Sequence, residues 1–436
     1  MKIILKNGRL IDPSQKMDGA FDLLIEDGVI SQIGENLSCD AAEIFDATGL
    51  IVAPGFVDIH VHGRTPGQEY KEDTQTLTAA AAAGGFTSVC VMPNTLPTID
   101  NRSVVEDVLS RAKVEGNGVR IYPIASVSIA AKNEQLSEFS ELKNAGAIAV
   151  SDDAFPLQDA DFMRRIFRYA KTLDLVTMLH CEDISLTGGG HAGVGKGGGV
   201  MNEGAVSMEL GLRGMPRVSE EIAVYKACAL AREVGNHIHI LHVSTRAAVD
   251  LIREFKARGV RVTSEAGPHH FGLSDEAVRG YNTNAKMNPP LRLQEDADAI
   301  VAGFADGTID CIATDHAPHA AHEKDREFDQ APFGIIGLET AFPVSLDKLV
   351  TNGPLSLSQL VEKMTTAPAR LLGLDAGTLQ VGRRADVCIF APEEEWILSE
   401  ETIDSKSKNT PWLGQTMKGR VKATFVDGKQ IHFHKK

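Results

Sequence analysis

Eight short apolar runs separated by segments of helical periodicity constrain this chain more than any other feature. The runs are "GFVDIHVH", "TSVCVMP", "RIYPIAS", "AIAVSDD", "LVTMLHCED", "HIHILHVST", "RVTSEAGPHH" and "DCIATDHAPH". Between them lie "SVVEDVLSRAKVEG", "DADFMRRIFRYAKTLD", "EEIAVYKACALAREVG" and "TRAAVDLIREFKARG", with apolar residues three and four apart. This alternation favours a parallel sheet with helical crossovers over a sandwich, and eight is the number of strands that closes such a sheet into a barrel. The two ends read differently. "ILKNGRLID" and "DLLIEDGVISQIG" near the start, and "GTLQVGRRADVCIFAP" and "GRVKATFVDGKQIHFH" near the end, are short alternating strands with N-G and D-G turns. Neither end can bury a face alone, so the two are expected to pair. The expected fold is α/β: a TIM-type (β/α)8 barrel over residues 54–372, with a small discontinuous β-sandwich domain from residues 1–53 and 373–436. A chain of 436 residues is long enough for both.

Composition narrows the function. With 44 Lys and Arg against 59 Asp and Glu, the net charge of −15 gives a nucleic-acid backbone or an anionic membrane little to attract, so a small-molecule partner is expected. The six cysteines are scattered without a C-x-x-C pair, which fits reduced thiols. No signal-peptide pattern or membrane-length apolar run occurs, and a cytoplasmic location is expected.

The polar residues collect at the C-terminal ends of the strand candidates. In a barrel these ends form one face, whose loops build the active site. The first run ends in His60 and His62, the fourth in Asp152 and Asp153, the fifth in His180, the sixth in His242, and the eighth in Asp315, His316 and His319. His60 and His62 are two apart and share a face of a strand, which is a metal-ligand spacing. Four histidines and one or two carboxylates exceed what a single tetrahedral Zn²⁺ takes, so two ions sharing a bridging carboxylate are expected. Metals roughly 3.5 to 4 Å apart activate water and polarise a carbonyl, as hydrolysis of an unreactive amide requires. No serine or cysteine nucleophile is evident; Cys181 reads as a small buried residue. Either Asp152 or Asp153 can bridge, but adjacent side chains in a strand point opposite ways, so only one can.

Other polar features read more plainly. His432 and His434 form a surface pair, His237 and His239 are structural, and His191 is solvated. His269 and His270 stand near the barrel mouth without an assigned role. The stretch "SLTGGGHAGVGKGGGVMNEG" matches no phosphate-binding pattern and reads as a flexible excursion. "EKDREFD", residues 323–329, reads as a solvated run placed where a lid over the site would lie.

"DIHVHGRTPGQEYKED", "GGFTSVCVMPNT", "VSDDAFP", "LHCED", "LHVST", "KMNPPLR", "ATDHAPH", "FGIIGLET" and "GTLQVGRRADVCIF" together resemble the cyclic amidohydrolases. Within them the chain is similar to the bacterial dihydroorotases with a bridging aspartate. The resemblance implies that His60 and His62 bind one Zn²⁺ and His180 and His242 another. It makes Asp153 the bridge and places Asp315 on the first metal as the catalytic proton carrier. It implies substrate contacts from His62, Arg64, Asn94, Asn288 and His319, and from backbone near Phe333 and Gly334. Arg64 would present a planar donor fork to the carboxylate of dihydroorotate. The reaction implied is reversible hydrolysis of the ring amide to N-carbamoyl-aspartate, a step in making pyrimidines. Hydantoinases and allantoinases, which commonly bridge with a carboxylated lysine, are the alternative class; no lysine falls on the "VSDDAFP" motif. A third class is the non-catalytic partner of aspartate transcarbamoylase, which lacks the metal ligands filled here; a homodimer and an assembly with the transcarbamoylase are the protein partners the resemblance raises. Two departures stand out in "HVHGRTPG": Gly63 where the family has leucine, and Thr65 where it has glutamate. They bear on substrate affinity more than on reaction type, Gly63 through lost apolar contact beside the arginine.

Overall fold

Each of the eight apolar runs forms a strand in the computed structural model, which describes residues 1–189 and 193–434. The barrel strands are Phe56–Val61, Phe86–Val91, Arg120–Ser126, Ala149–Ser151, Val176–Leu179, Ile238–Ile240, Val262–Ala266 and Cys311–Ile312. Every neighbouring pair is parallel, and the order in the sheet follows the order in sequence. The first and eighth strands meet at their C-terminal ends through a parallel bridge between Val61 and His316. There the His62 N–H donates to His316 O at 2.9 Å. The buried Asp58 carboxylate accepts the backbone N–H groups of both His60 and Thr314, which ties the seam from below. The helical segments fall where expected, at Arg102–Glu115, Ala160–Thr172, Val218–Val234 and Arg246–Ala257. Ala160–Thr172 shows why: Asp159 caps its first turn, and Phe162, Met163, Ile166, Phe167 and Ala170 form one buried stripe.

The lumen is apolar at its base and polar at its top, because successive inward positions along each strand change character. Cys90 and Met92 lead to Asn94, Val176 and Met178 to His180, and Cys311 and Ala313 to Asp315. The apolar members form one buried cluster with Val57, Ile59, Ile124, Ala149 and Leu241. Chemistry is thereby confined to the C-terminal mouth.

The two ends of the chain share a mixed six-stranded sheet. Its order is Lys429–Phe433, Thr416–Val426, Val387–Ile397, Ile51–Pro54, Arg9–Asp12, Met17–Ala20, with Val387 opposite Pro54 and Phe390 opposite Ile51. A second sheet of four strands comes from the N-terminal part alone. Residues from both ends, among them Leu10, Ile25, Val52, Val387 and Phe425, fill one apolar cluster. Phe390 links this sheet to the barrel: its ring lies 4.4 Å from that of Phe342 and 6.1 Å from that of Phe56. Phe390→Ala is expected to cost about 3–5 kcal/mol of stability. Urea unfolding with kinetics on the surviving folded enzyme checks this; a loss under about 1 kcal/mol would mean that the junction collapses around the gap.

Two expectations need correction. The glycine-rich stretch is not simply an excursion: Ile184–Thr187 is helical, and Met201–Asn202 pairs in parallel with Gly214–Met215. His191 lies outside the described residues. The run 323–329 is solvated only in part: Asp325, Arg326, Glu327 and Asp329 are exposed. Phe328 is buried in an apolar cluster, and Lys324 is buried with its Nζ donating to Thr283 O and Pro332 O, both at 2.9 Å.

Candidate metal centre

Backbone irregularities deliver the polar side chains to the mouth. The pairing of the first strand with the second shifts register between Asp58 and Val61, so His60 and His62 face the lumen above Val57 and Ile59. His242 follows the inward Leu241 and reaches the same space because its φ is 31°. Asp315 and Arg64 also have left-handed backbones, with φ of 48° and 61°. Such strain in non-glycine residues gathers where the surrounding structure overdetermines a functional conformation.

Asp153 stands between two histidine pairs. Its Oδ2 is 3.5 Å from His62 Nε2 and 3.7 Å from His60 Nε2, while its Oδ1 is 3.4 Å from both His180 Nδ1 and His242 Nε2. Asp315 Oδ1 is 2.8 Å from His62 Nε2 and 3.4 Å from His60 Nε2. Asp152 points elsewhere: its carboxylate accepts the backbone N–H groups of His180 and Leu157, both at 2.9 Å. Of the two adjacent acids, the structure brings Asp153 to the histidines and uses Asp152 to tie strand ends together.

The donor set fits divalent cations. Among the described residues, three overlapping groups place ligand atoms within 4.8 Å of one another: His60, His242 and Asp315; His60, His62 and Asp153; Asp153, His180 and His242. His60 Nε2 and Asp153 Oδ2 are buried without a hydrogen-bond partner. Acceptors on the far side of three imidazoles fix the tautomer that bares the inward nitrogen. Glu265 Oε1 accepts from His60 Nδ1 at 2.6 Å, Asn94 Oδ1 from His62 Nδ1 at 2.9 Å, and Glu182 Oε2 from His180 Nε2 at 3.0 Å.

Charge makes the same demand. Asp153, Asp315, Glu182 and Glu265 are all buried within this small volume. Burial alone would raise the Asp153 and Asp315 carboxyls, but the surrounding imidazoles outweigh it and hold both well below the ordinary carboxylate range. For His180, burial pulls the other way and is outweighed by Asp153 and Glu182, which lift it to about 10. So much buried negative charge requires positive charge, carried by protonated imidazoles or by metal ions.

Above this cluster lies a cavity of about 230 Å³. His62, Asp153 and Asp315 form its floor, and Arg64, Asn94, Asn288, His319, Phe333 and Gly334 line it. All the expected substrate residues therefore surround one space. Arg64 Nε donates to Pro318 O at 3.1 Å. Burial lowers its pKa to about 10, so the guanidinium stays charged. His319 Nε2 donates to Phe333 O at 2.8 Å. Asn288 Nδ2 donates to Glu182 at 2.9 Å, leaving its Oδ1 buried and unpartnered beside the cavity. Gly334 is already engaged: its N–H donates to Lys286 O and its O accepts from Asn409 Nδ2.

At Gly63 a Cβ would sit 3.0 Å from Val91 Cγ1 and 3.4 Å from Leu77 Cδ2, so these two side chains stand against the position. Glu323, Arg326 and Gln330 close the cavity from above, and Gly195 N–H donates to Asp329 O at 3.3 Å where two loops meet.

Sequence reasoning missed Glu182 and Glu265. Both sit inside quoted motifs, and Glu182 is two residues past His180, a same-face spacing that could have marked it. His239, read as structural, is buried and donates to Glu265 Oε2 at 3.0 Å. His269 and His270 are buried nearby, the His270 ring 6.5 Å from that of His242. His432, on the last strand, and His434, just past it, are half-buried rather than a surface pair.

A parallel barrel with this histidine and aspartate cluster at its C-terminal mouth defines a metal-dependent cyclic amidohydrolase. Residues 49–248 match the sequence model of the Dihydro-orotase-like family, and residues 201–432 that of the Amidohydrolase family. The chain is 51% identical over 432 residues to a dihydroorotase of Trichlorobacter lovleyi, covering 99% of both chains. It is 51% identical over 433 residues to a dihydroorotase of Geotalea daltonii, again covering 99% of each. Among solved structures it superposes on the L-hydantoinase (dihydropyrimidinase) of Arthrobacter aurescens with a TM-score of 0.87 at 26% identity, covering 98% of this chain and 95% of the other. The chain belongs to the dihydroorotase family.

Proposed function

We propose that the enzyme hydrolyses the ring amide of (S)-dihydroorotate to N-carbamoyl-L-aspartate and catalyses the reverse closure, a step of pyrimidine biosynthesis. One observation carries the reading: each oxygen of Asp153 faces its own pair of histidines beneath a cavity that holds a buried arginine. In the proposal His60, His62 and Asp315 would hold one Zn²⁺ and His180 and His242 the other, with Asp153 shared between the two sites. Bound ions of this kind polarise the amide carbonyl and lower the pKa of water.

The chain's own groups do the rest. Arg64 grips the substrate carboxylate, with Asn94 Nδ2 and His319 beside it. Asn288 Oδ1 is an acceptor matched to a ring N–H. Backbone near Phe333 shapes the wall; at Gly334 the internal hydrogen bonds leave shape as the contribution. Asp315 takes the proton of the attacking water as the carbon–oxygen bond forms, then delivers it to the ring nitrogen as the carbon–nitrogen bond breaks.

The same reading divides the chain into a barrel of residues 54–372 and a β domain of 1–53 and 373–436, supported by the separate apolar cluster joining the two ends. A cytoplasmic location is supported by six free cysteines and by the absence, among the described residues, of a helix long and apolar enough to cross a membrane. A homodimer and an assembly with aspartate transcarbamoylase rest on family resemblance alone.

Ring opening of dihydroorotate, hydantoin and allantoin, before and after chelation, tests the proposal. Activity confined to dihydroorotate, abolished by chelator and restored by Zn²⁺, is the expected result; preference for hydantoin or allantoin would overturn the substrate assignment. Arg64→Lys keeps the charge but loses the fork, and should lower kcat/KM about 10- to 100-fold, mostly through KM. An unchanged KM would remove Arg64 from carboxylate recognition.

A further inference from the structure

Glu182 sits at a junction that the reaction as described does not use. Its Oε2 accepts from His180 Nε2 at 3.0 Å and from Asn288 Nδ2 at 2.9 Å, and its Oε1 accepts from Thr187 Oγ1. The carboxylate is buried. On one side it fixes the tautomer of an imidazole that faces Asp153 Oδ1 at 3.4 Å. On the other it fixes which way the Asn288 amide points, because a carboxylate can only accept and so must take the NH₂ group. That choice turns Asn288 Oδ1, buried and without a partner, toward the cavity.

The opposite half of the centre has a shorter version of the same link. There His62 Nδ1 donates directly to Asn94 Oδ1 at 2.9 Å, which leaves the Asn94 NH₂ for the cavity. One half thus presents an amide donor and the other an amide acceptor; His62 orients the Asn94 amide directly, and Glu182, itself bonded to His180, orients that of Asn288. A cyclic amide or imide ring offers both complementary groups, a carbonyl and an N–H.

We infer that Glu182 is a positioning residue that couples the His180 side of the metal centre to recognition of the substrate ring through Asn288. The inference rests on the proposed function. Without the carboxylate, His180 loses the acceptor that holds its tautomer, and the Asn288 amide is free to rotate and offer a donor where the ring also has one. The helix at Ile184–Thr187 supports this arrangement by supplying Thr187. A group that orients a metal ligand from behind typically contributes 10- to 100-fold in metal affinity or activity.

The test compares wild type, Glu182→Gln, Thr187→Val, Asn288→Ala and the double variant Glu182→Gln/Asn288→Ala. Wild type is assayed first on dihydroorotate: no turnover there defeats the proposed function, not the coupling. For each variant, melting by circular dichroism, Co²⁺ or Zn²⁺ bound per chain after dialysis, and KM and kcat are measured separately. Glu182→Gln is expected to melt as a folded protein, to bind metal roughly tenfold more weakly, and to raise KM roughly tenfold. The double variant should raise KM no further than Asn288→Ala alone, because both changes break the same link. Thr187→Val leaves the carboxylate in place and should show the same pattern in weaker form, which keeps the test open if Glu182→Gln does not fold. KM effects that multiply in the double variant, or metal binding unchanged in both Glu182→Gln and Thr187→Val, would overturn the coupling.

Discussion

Asp315→Ala yields a folded protein that still binds metal and turns over dihydroorotate on the order of 10²- to 10⁴-fold more slowly. The loss is large because the other described carboxylates lining the cavity, Asp153 and Glu323, are otherwise engaged. Asp153 is flanked by four imidazoles, and Glu323 pairs with Lys71 at 3.1 Å. Asp315 is held toward the histidines by a left-handed backbone and by His62 at 2.8 Å, so alanine removes the group without a substitute nearby. Metal retention is expected because the histidine pairs and Asp153 remain. Steady-state kinetics beside metal analysis checks both halves, and near-normal turnover would take Asp315 out of proton transfer.

Asp153→Ala should be more damaging still, and differently so. It removes the carboxylate whose two oxygens stand 3.4–3.7 Å from all four imidazoles, leaving Asp315 as the nearer remaining anion on the His60 and His62 side. Metal bound per chain should fall, and turnover should drop by several kcal/mol of barrier, on the order of a thousandfold or more. Asp152→Ala is the control. It deletes hydrogen bonds to two backbone N–H groups and is expected to lower stability more than metal content. Equal metal loss in the two variants would mean that the neighbouring acids share the role.

The barrel was legible because its signal is redundant: eight apolar runs alternate with helical segments, and five of them end in the His and Asp residues of the mouth. The metal cluster was legible for the same reason, since parallel strands align those ends. What escaped depends on register rather than composition. Glu265 meets both His60 and His239, from strands far apart in sequence, and only the relative height of those strands brings them together. Within 323–329, Lys324 and Phe328 escaped a solvated reading drawn from charged letters. Lys324 is buried because two backbone carbonyls receive its amine, an arrangement fixed by the folds of other loops. His242 shows the limit of parity arguments: a single left-handed residue turned it inward beside His180, 3.0 Å away.

Anomalous diffraction from crystals of the Zn²⁺-loaded enzyme tests the central claim most directly. The account predicts peaks on both sides of the Asp153 carboxylate, one beside His60 and His62 and one beside His180 and His242. Catalytically active crystals whose metal lies away from Asp153, or that turn over substrate with no metal bound at all, would contradict it.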